Sequence, residues 1–548
     1  MAGCGGLERA AIESPKARSR PAAVRKPARQ SDPSSIAASH ALYASAVIHE
    51  LNGELETALG EFCQAALRDP SDEWLMLEVS RRLIHHRKLE KAAEILSIGA
   101  AHSDASGAVL ARLAIVYSQL GRTAESQETS RAAIRKAPAT LPAYQTLYVN
   151  YMQAKQPRQA IEVLEAAAKA PKPDAGFLIG LSELFVSYGT QAPKEKEAVN
   201  AEALTLLQRA QKLVGPDPAL KMKIADGFTL LGQGDAAAEV YNDLLANPHN
   251  LPVLQESVHA RLANIYLRSS NKEKAQEQLQ ALIRADPTNP QPYYFLGHIA
   301  LDQKKPAEAV ECFSKTILLS PDFESAYYEL ANAQLMMDKP SDALATLEKA
   351  REKFAVGFTM EFFSAVASIQ TRDFDRAIRH FTAAEVIANA TDPKRLNHFF
   401  YFQLGVAYEQ RKEHEQAAAA FEKSLELSPD FAEAMNYLGY MWADLGKNLD
   451  KAAALLEKAV KAEPKNAAFL DSLAWVYFKL NRHQEAFEYI TRAVQLSGEP
   501  DPVLFDHLGD ICHALGRKEE AREAWKKSFK LDPKDAIKTK MERLGEAP

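Results

Sequence analysis

Cysteine is scarce in this chain of 548 residues, which contains four. Three of them, Cys63, Cys312 and Cys512, fall inside helical apolar patterns and read as small buried hydrophobes, which gives no disulfide framework. No run of about 18 or more apolar residues exists, and that excludes a membrane-spanning helix. A basic excess is missing as well. The formal net charge is −6, and without a cationic face no nucleic acid partner is expected. Catalytic signatures are also missing: there is no P-loop, nucleophile elbow or dinucleotide fingerprint, and no cofactor is called for. Asp506, His507, Asp510 and His513 come nearest to a metal constellation. Asp506, Asp510 and His513 share one helical face while His507 points elsewhere, so the set is weak and open and no metal is expected. His85 and His86 diverge on a helix and read as surface residues.

What the chain does have is a period. A register of about 34 residues restarts from Ser39 to Pro533. Ala58, Phe62, Ala65 and Pro70 close one unit; Ala309, Phe313 and Pro321 close another. Ala417, Phe421 and Pro429 do the same, as do Ala521, Trp525 and Pro533. Ahead of each set lies a Leu-small pair with a larger residue three positions on, as in Leu404-Gly405-Tyr408, Leu438-Gly439-Trp442 and Leu473-Ala474-Tyr477. The segment from Glu324 illustrates the physics. Tyr327, Leu330, Ala331 and Leu335 recur at helical spacing, Pro340 interrupts, and Ala343, Leu347 and Ala350 face inward from a second helix. Ser341 or Asp342 is expected to cap that second helix. Composition agrees, with 47% hydrophobic and 25% charged residues and much Ala, Leu, Glu and Lys.

The pattern of Leu-small, then small–large–small, then proline resembles the tetratricopeptide repeat family. The resemblance implies an all-α fold, a right-handed α-solenoid of helix-turn-helix repeats, over roughly nine-tenths of the chain. In that family's frame, units begin near Ser39, Glu73, Gly107 and Leu141, and a second even block begins at Glu256, Pro290, Glu324 and Phe358. Less regular units begin near His398, Ala432, Ala467 and Pro502, with one residue inserted beside Gly446-Lys447-Asn448. The expected organisation is a basic Ala/Pro/Ser-rich tail or tether over 1–38, an N-terminal block over 39–172, irregular units with a hinge candidate over 173–255, a regular block over 256–397, a C-terminal block over 398–533 and a capping helix over 534–548. The hinge expectation rests on a polar insertion after Tyr188, and the cap on a narrow stripe of Ile537, Met541 and Leu544.

The resemblance also implies that the first helix of each unit lines a concave surface, with inward positions at fixed places in the frame. The fifth reads Tyr294, Tyr328, Phe362 and Phe402, and the ninth includes His298, Asn332, Tyr440 and Trp475. These eight residues are the candidate partner-binding set, since aromatic side chains dominate binding hot spots. Two readings stand: the rings line a groove for a peptide or helix of a partner protein, or they thicken the contacts between neighbouring units. Toward the C-terminus the fifth position turns polar at Asn436, Asp471 and Asp506. The family's set of Lys, Asn and Arg that clamps a terminal carboxylate is not found.

Outside the register, the segment before Ser39 carries seven basic residues against three acidic ones, with prolines spread through it. Its start, Ala2-Gly3-Cys4-Gly5-Gly6, resembles the end of a bacterial lipoprotein signal, in which Cys4 would be acylated; only Met1 stands where an apolar stretch belongs. Two localisations follow: a lipid-anchored protein of the bacterial envelope if the true start lies upstream, or a cytoplasmic one with a basic tail. The expected function is a non-catalytic scaffold for a protein partner, acting in envelope assembly or export. An accessory subunit of an enzyme complex, such as polysaccharide synthesis machinery, and a cytoplasmic adaptor are the alternatives.

Overall fold

The computed structural model of the protein describes residues 33–102, 104–246 and 252–543. Among the described residues there are 29 α-helices, one 3-10 turn at Pro393–Arg395, and no strand. Cys4 and Leu544 lie outside them. The chain divides into two compact units, residues 1–265 and 266–548.

In the first unit the helices pair as α1 (Pro33–Leu51) with α2 (Leu55–Arg68), α3 (Glu73–His85) with α4 (Leu89–Ala100), and α5 (Gly107–Gln119) with α6 (Thr123–Lys136). The pairs α7 (Leu141–Gln153) with α8 (Pro157–Ala168), α9 (Ala175–Gln191) with α10 (Lys196–Leu213), and α11 (Pro218–Leu230) with α12 (Gly234–Leu245) complete it. α13 (Pro252–Arg268) crosses the division, and α14 (Lys272–Ala285) follows. The second unit then pairs α15 (Pro290–Asp302) with α16 (Pro306–Leu319), α17 (Glu324–Met336) with α18 (Pro340–Arg351), and α19 (Phe358–Gln370) with α20 (Phe374–Thr391). Last come α21 (His398–Gln410) with α22 (His414–Leu427), α23 (Ala432–Asp444) with α24 (Leu449–Ala462), α25 (Ala467–Lys479) with α26 (His483–Leu496), α27 (Pro502–Ala514) with α28 (Lys518–Leu531), and the terminal α29 (Asp535–Arg543).

Each pair is held by the residues that set the period. The aromatic of the second helix lies against the glycine of the first: a Cβ on Gly405 would sit 2.6 Å from the Phe421 ring, and one on Gly297 2.6 Å from Phe313. A short polar residue on the second helix reaches back to the first residue of its partner. Ser424 Oγ donates to the His398 carbonyl at 2.8 Å, and Ser528 Oγ to that of Pro502 at 2.6 Å. First helices carry side-chain caps, such as Asp72 on Leu75, Asn397 on Phe400 and Asn466 on Phe469.

Second helices follow a different rule. The fifteenth residue of the frame is left-handed in unit after unit: glycine at Gly53, Gly121, Gly232, Gly446 and Gly516, but a side chain at Arg87, Lys155, Lys304, Arg372 and Lys412. This turn aims the chain into the second helix, and most second helices start without a capping side chain; Asn271 on Lys274 and Asp373 on Arg376 are exceptions. Accordingly Pro340 opens α18 after Lys339, and Ser341 and Asp342 lie inside the first turn; the cap expected from them does not form. The inserted residue near Gly446 appears as a second left-handed residue, Asn448, two positions on. Because a left-handed L-residue costs about 1–2 kcal/mol, Lys412→Gly is expected to stabilise the second unit by about 1 kcal/mol after glycine's own entropy. Urea unfolding checks this, and no gain would mean that the turn is relaxed.

Segment 173–255 holds the pairs α9–α10 and α11–α12. The polar insertion after Tyr188 is built into α9 and α10. Tyr188 is buried and its hydroxyl donates to Glu195 at 3.1 Å, while Val199 packs where a Cβ on Gly189 would fall. The division into compact units comes later, between Ile265 and Tyr266. Helix also begins at Pro33, ahead of Ser39, with proline at a helix start where its missing N–H costs nothing.

Candidate functional site

The eight candidate residues sit on first helices of the second unit, and the structure sorts them by what each ring touches. Tyr294 on α15 half-emerges, with His298 at 4.6 Å, Phe323 at 4.7 Å and Phe313 at 5.7 Å between ring centroids. Tyr328 on α17 is 9% exposed, and its hydroxyl donates to Glu324 at 2.6 Å. Burial and that carboxylate push its phenol upward. Asn332, one turn along, is half-buried. Phe362 on α19 and Phe402 on α21 belong to a continuous track. Phe362 meets Phe399 at 6.2 Å, Phe399 meets Phe402 at 6.4 Å, and Phe402 meets Tyr437 of α23 at 5.2 Å. Beyond it Tyr440 lies 6.3 Å from His507 of α27, and Trp475 of α25 stacks on the same imidazole at 4.1 Å.

Burial divides the track. Phe402 and Trp475 are 8% and 7% exposed and act as packing between helices. Phe399 and Tyr437, at 42% and 39%, present large apolar area to solvent. Neither they nor His507 occupies the fifth, ninth or twelfth position. They stand at the second and sixth, and an aromatic scan of those positions would have found them. His507 is buried, with Nδ1 2.8 Å from Asp471.

Asp506 and Asp510 face a cation already supplied by the chain. Lys540 of α29 places Nζ 2.7 Å from a carboxylate oxygen of each, and Trp525 Nε1 donates to Asp510 at 3.2 Å. Burial raises the Asp510 carboxyl, opposed by the bonds from Lys540 and Trp525. His513 turns to Trp525, 5.6 Å between centroids. Among the described residues no group of three potential metal ligands forms. Burial pushes the thiols of Cys312 and Cys512 up to about 11, which makes them poor nucleophiles. No helix of the described residues is long and apolar enough to cross a membrane.

The first unit differs on its first helices. Where the second unit has rings at the fifth position, α5 and α7 have Ala111 and Gln145. A cavity of about 520 Å³ opens there, lined by Leu77, Ala108, Ala111, Arg112 and Phe177 among others. A second of about 360 Å³ shares Ile115 and Pro142 with it and extends to Gln145 and Val149.

With paired helices, glycine-seated aromatics and a recurring left-handed turn in place, the class is that of helix-pair repeat proteins. A family model described as tetratricopeptide repeat matches residues 245–534, and the chain belongs to the tetratricopeptide repeat family. The helical repeats of this family serve in general as protein–protein interaction scaffolds. No curated protein matches the chain. Among solved structures it is similar to a tetratricopeptide repeat protein from Parabacteroides merdae, at 18% identity and a TM-score of 0.37 over 47% of this chain and 99% of that one. It is also similar to a chain of the APC/C hetero-tetramer Cut9-Hcn1, at 14% identity and 0.39 over 88% and 96%. A third is MamA 41-end from Desulfovibrio magneticus RS-1, at 21% identity and 0.29 over 32% and 96%.

Proposed function

We propose that this protein is a non-catalytic scaffold that holds a segment of a partner protein along the concave, first-helix face of its second unit. The observation that carries this is the aromatic track from Phe362 to Tyr437, in which Phe399 and Tyr437 expose ring surface that nothing in the described chain covers. Buried Phe402 fixes the two rings from below, so the surface is preformed and little ordering entropy opposes binding. Tyr294, His298 and Asn332 extend the same face on α15 and α17.

The scaffold is proposed to work at the bacterial cell envelope, in assembly or export, tethered through an acylated Cys4 and the basic segment that follows. The support for this is Ala2-Gly3-Cys4 itself. Metabolic labelling with a fatty-acid analogue tests the tether: label that persists in Cys4→Ser, or no label in the wild type, ends it.

A pull-down from the native organism tests the scaffold. Phe399→Ser with Tyr437→Ser is expected to weaken partner capture more than about tenfold while lowering the melting temperature less than Phe402→Ala does, because both rings are about two-fifths exposed. Phe402→Ala should instead lose about 3–5 kcal/mol of stability. If capture follows melting temperature across all three, the track is packing alone. The second reading, an accessory subunit bound through the second helices, draws on Leu318, Val386, Leu427, Leu496 and Leu531, exposed on α16, α20, α22, α26 and α28. Charged replacements at these five positions would abolish capture under that reading only.

A further inference from the structure

One helix of the track carries more than aromatic surface. On α23, Glu433, Tyr437, Tyr440 and Asp444 follow one another at intervals of four, three and four residues, which places all four on a single helical stripe. The opposite face of the helix is sealed by Met435, Leu438, Met441 and Trp442. Glu433 and Asp444 are exposed, and neither carboxylate has a hydrogen-bond or ion-pair partner among the described residues. Glu409 of α21 and Asp471 of α25 add to this field. The Tyr440 phenol is raised first by burial and then by Asp444, Asp471 and Glu409, so these carboxylates crowd one ring. Three cations on the helices that follow are engaged elsewhere: Lys540 lies between Asp506 and Asp510, Lys479 sits over the Trp475 ring, and His507 is held by Asp471.

Two buried polar atoms beside the stripe lack partners. Among the described residues Asn436 Oδ1, one turn before Tyr440, has no donor, and Trp475 Nε1 has no acceptor. A buried polar atom left so costs about 1–3 kcal/mol. Resting on the scaffold reading above, we propose that the segment held on this face is basic and extended, with arginine or lysine side chains meeting Glu433 and Asp444 and stacking on Tyr437 and Tyr440. Cationic side chains gain from the carboxylates and the ring faces together. Glu433 and Asp444 are eleven residues apart, or about 16 Å along the helix. Extended chain covers that in about five residues, so the basic side chains should be spaced by about five positions.

The test uses the full chain and synthetic ten-residue alanine–glycine peptides carrying two arginines five positions apart, two adjacent arginines, or two glutamates five positions apart. Calorimetric titration should rank the spaced arginine peptide first and the glutamate peptide at least about tenfold weaker. Glu433→Lys with Asp444→Lys should reverse that order. Both sites are exposed, and a thermal melt confirms the fold. Equal binding of all three peptides, no binding of any, or an order indifferent to the charge reversal overturns the proposal. So does self-association abolished by the same reversal, which would make the occupant a second copy. Native partner capture that needs Phe399 and Tyr437 but ignores the charge reversal would sink this inference while leaving the scaffold reading intact.

Discussion

Glu361→Ala is expected to destabilise the second unit by about 3–5 kcal/mol, the range for removing one partner from a buried ion pair. Glu361 is buried on α19 and is held from two sides. Arg351 of α18 donates to one oxygen at 2.8 Å, and His380 of α20 lies 2.5 Å from the other. One carboxylate therefore joins three consecutive helices, and its loss leaves the Arg351 guanidinium with only the longer contact to Glu348, 3.7 Å away. Burial alone would raise this carboxyl, but the hydrogen bonds from His380 and Arg351 outweigh it and hold the group below the ordinary carboxylate range. Its contribution is thus complete above that range and is lost as pH falls through the lowered value. Urea midpoints should show a wide gap between wild type and Glu361→Gln at neutral pH that narrows toward acid. A gap that stays constant would mean that shape, not charge, holds the three helices.

Phe421→Ala should cost a similar amount, about 3–5 kcal/mol, by emptying the space between α21 and α22. The ring is wholly buried and leans on Gly405. Gly405→Ala should itself destabilise, by about 1–3 kcal/mol, because the new methyl would meet the ring at an impossible separation. Combining Gly405→Ala with Phe421→Leu should recover part of that loss, since the smaller side chain can yield. Hydrogen exchange would localise the damage: amides of α21 to α24 should lose protection before those of α15 to α18, as repeat units lean chiefly on their neighbours. Uniform loss would show a single cooperative core instead.

The glycine–aromatic contact explains why so much of the fold was legible in the sequence. A residue that must touch its partner in every unit recurs at every period, so Gly405 with Phe421 and Gly297 with Phe313 announce the helix pair directly. The fifteenth-position turn was less visible, because the left-handed conformation falls on glycine in some units and on Arg87, Ser270, Lys304, Asp338 or Asn481 in others. The site was only partly legible. Frame positions five and nine named Phe362, Phe402, Tyr440 and Trp475, but periodicity reports which way a residue faces, not how much of it the next helix covers. Phe402 and Trp475 turn out to be covered, while Phe399 and Tyr437 are not. The pairing of Lys540 with Asp506 and Asp510 was likewise hidden, since nothing in a repeat frame tells how a helix beyond the last repeat will dock.

That last pairing bears on where unfolding begins. α29 covers the final repeat through Ile537, Met541 and the Lys540 bridge, and it is nine residues long. Without Lys540, Asp506 and Asp510 would lose the cation that they share, and without Ile537 and Met541 the Trp525 ring would lose part of its cover. The last helix pair would then open more readily than the pairs before it, since repeat units lean chiefly on their neighbours.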